Sequence, residues 1–113
     1  MEALLISIGG AVGAVSRYLV GQLLGKTSFP WATLVVNALG SFILGIVLFS
    51  DGTSTLQLLV AVGFCGAFTT FSSFSFQTVS LWERDKRILT ILNAIGNLVI
   101  SLIVFTVAWQ LIL

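Results

Sequence analysis

Along the chain the apolar residues neither alternate nor form narrow stripes; they run in long blocks. A spanning helix needs about 20 largely apolar residues. Four stretches reach that length: Glu2–Leu24, Trp31–Phe49, Leu56–Trp82 and Ile88–Leu113. Each predicts a transmembrane helix. The polar segments between them are short. Gly25–Pro30 ends on a proline placed to start a helix. Ser50–Thr55 holds the turn pair Asp51-Gly52. Glu83–Arg87 is dense in charge. The first block opens on Glu2 and contains Arg17, which argues against a signal peptide. The pattern leaves no linker, low-complexity run or strong internal repeat, so the expectation is one four-span domain.

Composition agrees. The 113 residues are 58% hydrophobic and 8% charged, against about 25% charged in soluble domains. So few charged side chains cannot coat a 12.1 kDa globule, so the outer surface faces lipid. The fold class is an all-α membrane protein. The absence of histidine removes imidazole acid–base chemistry and most zinc sites. Cys65 is the only cysteine, so there is no internal disulfide; it reads as a small buried apolar residue. With a net charge of +1 and no basic tail, nucleic acid is not an expected partner.

Inside lipid, close packing rather than hydrophobicity brings helices together. Gly9 and Gly13, Gly21 and Gly25, and Ser41 and Gly45 repeat the small-xxx-small spacing of such contacts. Four short helices leave little room for a lined pathway, so an oligomer is expected, most simply a two-fold dimer. The first and third loops share one side and hold Lys26, Arg84, Lys86 and Arg87; the other side has Glu2 and Asp51 and no basic residue. The positive-inside rule then puts both termini outside.

Polar residues at membrane depth are costly and usually functional. Arg17 lies about 11 Å from the end of its span, at about 1.5 Å per residue. It reads either as an interfacial anchor that snorkels or as a positive lure at an anion path. Asn37 reads as interhelical glue or as a pore-facing amide donor. In the third span, Gly63-Phe64-Cys65-Gly66-Ala67-Phe68-Thr69-Thr70-Phe71-Ser72-Ser73-Phe74-Ser75 sets two glycines before a run of hydroxyls and phenylalanines. Glycine and adjacent β-branched threonines weaken a helix. A break at Gly66–Thr70 would free carbonyls that a cation could satisfy; a continuous tilted helix with back-bonded hydroxyls is the alternative. Phe71 and Phe74 share a face with Thr78. Phenyl edges carry partial positive charge and can hold a small anion. Asn93, Asn97 and Ser101 recur every four residues and form a polar stripe on the fourth span. The stripe reads as glue or as a donor track for a dehydrated anion.

Three membrane functions compete. A small four-span proton-coupled exporter needs a protonatable group at depth. This chain places no Asp, Glu, His or Lys there. A passive pathway for a small anion asks for donors, aromatic edges and a fixed cation, all of which the residues offer. A structural or non-conducting partner subunit explains the small-residue packing but not the polar stripe. No enzyme chemistry is indicated.

Gly9-Gly10-Ala11-Val12-Gly13-Ala14-Val15-Ser16-Arg17-Tyr18, then Thr33-Leu34-Val35-Val36-Asn37, then the third-span run quoted above resemble the Fluc (CrcB) fluoride channels. The resemblance covers the whole chain, with the motifs in order. It implies an antiparallel dimer with two pores that lets fluoride run passively out of the cell across the plasma or inner membrane. It implies a structural Na+ at the dimer centre, held by the carbonyls of Gly66 and Thr69. It matches the paired phenylalanines to Phe71 and Phe74, the pore asparagine to Asn37, the polar track to Asn93, Asn97 and Ser101, and the first-span arginine to Arg17. Neutral Gln77 stands where the family often has glutamate, so a role for that carboxylate does not carry over. Ser73 stands where threonine is usual. The biased loop charge leaves open a homodimer or a pair with an oppositely oriented sister subunit.

Overall fold

The computed structural model of the protein describes every residue except Lys26. That lysine, one of the basic residues behind the orientation argument, lies outside the described residues. Helix α1 runs Glu2–Leu24 and α2 runs Trp31–Phe49, the bounds that hydropathy gives. The third apolar block becomes a span of 30 residues, Ser54–Glu83, built in pieces. A short α3 (Ser54–Leu56) leads into π-helical turns over Gln57–Cys65, then a short α4 (Gly66–Phe68) and, after a break, α5 (Phe71–Glu83). The last block is α6, Arg87–Ile112. All four spans are long and apolar enough to cross a membrane, and among the described residues there is no strand.

The interior mixes polar and apolar side chains. Among the described residues, eight apolar side chains are buried beside five polar ones: Thr33, Thr70, Thr90, Asn93 and Asn97. Large apolar residues such as Val15, Leu19, Ile95, Leu102 and Ile103 face outward. In water that distribution would be untenable; against lipid chains it costs nothing, while buried amides need internal partners.

Packing rests on backbone proximity. α1 lies against the π-helical turns, and α2 lies against α6. A Cβ on Gly9 or Gly13 would run into the carbonyl oxygens of Leu59 or Phe64, and one on Gly63 would sit 2.7 Å from the Ile6 carbonyl oxygen. On α2, a Cβ at Gly45 would meet Ala108 Cβ at 2.7 Å. The Gly9–Gly13 pair therefore marks a helix contact, as does Gly45 of the Ser41–Gly45 pair. Gly21 and Gly25 do not, for a Cβ at either would meet nothing within 4 Å. Gly25 instead ends α1 with φ 67°, a conformation that favours glycine.

The turn from α5 to α6 is held by backbone geometry. Asp85 takes φ 59°, and the Lys86 N–H donates to the Leu81 carbonyl at 2.9 Å, as in a Schellman closure. The exposed Arg87–Asp85 pair at 3.7 Å adds little to stability. The Arg87 guanidinium lies 4.0 Å above the Trp82 ring, a pairing suited to a membrane edge.

Candidate functional site

The third span breaks where its threonines lie. Thr69 has φ −79° and ψ 158°, and Thr70 has φ −147° and ψ 120°. Both are extended, the region β-branched residues prefer. The Thr69 hydroxyl donates back to the Cys65 carbonyl at 2.8 Å. The Thr70 hydroxyl caps the next helix by accepting the Ser73 N–H at 3.1 Å. Of the two sequence readings of this segment, the broken helix is the one the structure adopts, within Gly66–Thr70.

The break is stabilised from α2. Asn37 faces it and makes a two-pronged contact. Its Oδ1 accepts the Thr70 N–H at 2.8 Å, and its Nδ2 donates to the Thr70 carbonyl at 3.2 Å. In a continuous helix the Thr70 N–H would serve the Gly66 carbonyl, and the Ser73 N–H the Thr69 carbonyl. Both donors are engaged elsewhere. The carbonyls of Gly66 and Thr69 thus lack the donors a helix would supply, and both residues line the same open groove. Hard oxygen donors of this kind suit a cation such as Na+.

That groove has a volume of about 440 Å³. Asn37 and Ser41 of α2, Phe71 and Phe74 of α5, and Asn97 and Ser101 of α6 all line it. The Phe71 and Phe74 ring centroids lie 5.9 Å apart with planes tilted by 46°. Phe71 is 79% exposed, so its ring stands at the open side. Among the described residues, none that lines the groove carries a formal charge.

Behind the groove runs a chain of amides. Asn37 Nδ2 donates to Asn97 Oδ1 at 3.0 Å. Asn97 Nδ2 donates to the Asn93 carbonyl at 2.9 Å and to Asn93 Oδ1 at 3.0 Å. Asn93 Nδ2 donates to the Thr78 hydroxyl at 2.8 Å, and that hydroxyl donates to the Phe74 carbonyl at 2.7 Å. The stripe on the fourth span therefore divides. Asn97 and Ser101 reach the groove, whereas Asn93 is wholly buried and does not line it.

Arg17 also stands apart. It lines a separate hollow of about 370 Å³ with Thr33, Ser73 and Gln77. Thr70 borders both hollows, so the break is the wall between them. Gln77 is tied to α2 through Thr33, whose hydroxyl donates to Gln77 Oε1 at 2.6 Å.

Sequence reasoning missed Thr70 as a cap, although Thr70 followed by Phe71-Ser72-Ser73 is a recognisable helix start. The Thr33–Gln77 contact joins residues 44 apart in sequence and has no local signal.

A family model described as "CrcB-like protein, Camphor Resistance (CrcB)" matches residues 4–109. The chain is 47% identical to Fluoride-specific ion channel FluC 2 of Haloarcula marismortui, over 98% of this chain and 93% of that protein. It is 41% identical to Fluoride-specific ion channel FluC 1 of Halobacterium salinarum, over 97% and 92%. It is 36% identical to Fluoride-specific ion channel FluC 2 of Clostridium acetobutylicum, over 93% and 92%. Four apolar spans, the broken third helix and these matches along nearly the full length place the chain in the CrcB-like family.

Proposed function

We propose that the protein is a fluoride-selective channel that carries F− passively out of the cytoplasm across the cell membrane and so limits fluoride toxicity. The observation that carries this reading is the groove at the broken helix. It joins two phenyl rings, two amides and several hydroxyl side chains at membrane depth, with no formal charge among the described residues that line it. The names of the relatives support the same ion.

The proposed pathway runs past Asn37, Phe71, Phe74, Asn97 and Ser101. Asn93 belongs to the same polar track, buried behind the groove, and Arg17 contributes positive potential from the adjoining hollow. Fluoride is small and strongly hydrated, so dehydrating it demands replacement donors. Amide N–H and hydroxyl groups donate, and phenyl edges offer a weaker field from which the ion can leave. The energy for export comes from the membrane potential, about 2.3 kcal/mol per charge per 100 mV. Hydrogen fluoride crosses lipid as a neutral molecule and ionises inside, which supplies the trapped anion.

A single protomer leaves the groove open along one side. The reading is an antiparallel dimer in which a second subunit closes it. The relatives from Haloarcula and Halobacterium carry the numbers 2 and 1 in their names, which keeps a sister chain beside a second copy of this one as the partner. At the centre of that dimer, Na+ would be held by the carbonyls of Gly66 and Thr69, and would supply the positive charge that fixes the two breaks against each other. Ion-replacement scattering at those carbonyls tests the site: density that follows the ion supports it, and density that does not removes it. For the channel itself, purified protein in liposomes loaded with F− should release it on addition of an ionophore, and should retain Cl−. Equal release of both ions would refute selectivity.

A further inference from the structure

We propose that Asn93 and Thr78 are positioning residues for the phenylalanine pair, acting through the Phe74 carbonyl rather than touching the permeating ion. The proposal rests on the channel reading. The hydrogen-bonded chain described above begins and ends on the same short stretch of backbone. At one end Asn37 grips the Thr70 N–H and carbonyl. At the other, the Thr78 hydroxyl donates to the Phe74 carbonyl at 2.7 Å. Phe71 and Phe74 form the first turn of α5 between these points. The turn is therefore clamped at both ends, with α2 and α6 as the frame.

Asn93 is the link that connects the far clamp to the frame. Its Nδ2 donates to the Thr78 hydroxyl at 2.8 Å, which fixes the direction in which that hydroxyl donates. Its carbonyl and Oδ1 accept from Asn97. Its side chain has no exposed surface, so an ion in the groove cannot reach the amide. Hydrogen bonds in such a series polarise one another, and deletion of one member strands its neighbours in a setting where water cannot replace them. A loosened first turn lets the tilted Phe71 and Phe74 rings wander. Ring-edge recognition of a small anion tolerates little displacement.

The test compares Thr78→Val, Thr78→Ser, Asn93→Leu and the Thr78→Val/Asn93→Leu double variant as purified full-length protein in liposomes. Maximal F− efflux, its half-saturating concentration and the F−/Cl− ratio are measured for each. Thr78→Val should lower maximal efflux about tenfold, the scale of one stranded buried donor, and should lower the F−/Cl− ratio with it. Thr78→Ser should restore both. The double variant should be no worse than the poorer single variant, because both substitutions cut one chain. Thr78→Ala carries the same expectation where the valine variant does not elute as a single species. Wild-type efflux from Thr78→Val beside lost efflux from Asn93→Leu would make Asn93 a direct ion donor and overturn the proposal. Losses that add in the double variant would overturn it too. Wild-type protein that releases no F− would remove the channel reading, and this proposal with it, a result distinct from a conducting wild type with an unaffected Thr78→Val.

Discussion

Asn37 is the side chain on which the break and the groove meet. A lone asparagine in a span reads equally as glue or as a donor facing a path. The structure gives it both positions, since it lines the groove and also grips Thr70. Its donors are engaged by the Thr70 carbonyl and Asn97 Oδ1, so an anion at this amide must exchange for an internal acceptor. Binding is then a difference between two similar interactions, which favours release as well as entry. Phe71 and Phe74 carry a sharper expectation. Phe71→Ile with Phe74→Ile removes the polarised ring edges at similar volume, and F− efflux should be abolished while the protein elutes as wild type on size exclusion. Surviving efflux would mean that the rings do not hold the ion. Gly13 carries a packing expectation. A side chain there meets the Phe64 carbonyl oxygen, so Gly13→Val should destabilise the fold by about 1–3 kcal/mol, as overpacking does. A thermal melt in detergent measures it.

At the scale of elements, the third span decides the architecture. Its two halves are separated by extended Thr69 and Thr70, and the second half starts because Thr70 caps it. Thr70→Ala deletes that cap and should cost about 1 kcal/mol, visible as a lowered melting temperature, with F− efflux reduced in parallel. The position of the break was legible, because Gly66 and the paired threonines are poor helix formers and lie mid-span. Why this sequence breaks rather than bends was not legible. The break depends on Asn37, which meets Thr70 from 33 residues away, and one strand of text cannot show that meeting. The π-helical turns at Gln57–Cys65 likewise have no hydropathy signature; they appear where α1 presses its glycines on the third span. Helix bounds were the easiest part, because apolar runs the length of a bilayer admit little else. The fourth-span stripe was visible as a stripe, yet its periodicity could not tell Asn97, which reaches the groove, from Asn93, which supports it.

For the whole molecule, scarcity of charge is the organising fact. Lipid takes the apolar exterior, while the buried interior holds threonines and asparagines, each hydrogen-bonded inside the protein, beside apolar side chains. Among the described residues no buried side-chain nitrogen or oxygen lacks a hydrogen-bond partner. Such a centre offers an anion exchangeable donors and offers a proton no carboxylate to ride on. F− flux should therefore be unchanged when an imposed proton gradient is collapsed by a protonophore at constant membrane potential, measured at alkaline pH where hydrogen fluoride leak is small. Expressed alone, the chain should also show whether a second copy suffices as its partner: robust efflux from the single product removes the need for a sister subunit, and efflux that appears only on co-expression requires one. The most direct test of fluoride selectivity is anion release from liposomes containing the purified protein, read by fluoride and chloride electrodes side by side. Rapid F− release with Cl− retained is the expected result, and release of both ions at similar rates would contradict a fluoride-selective channel.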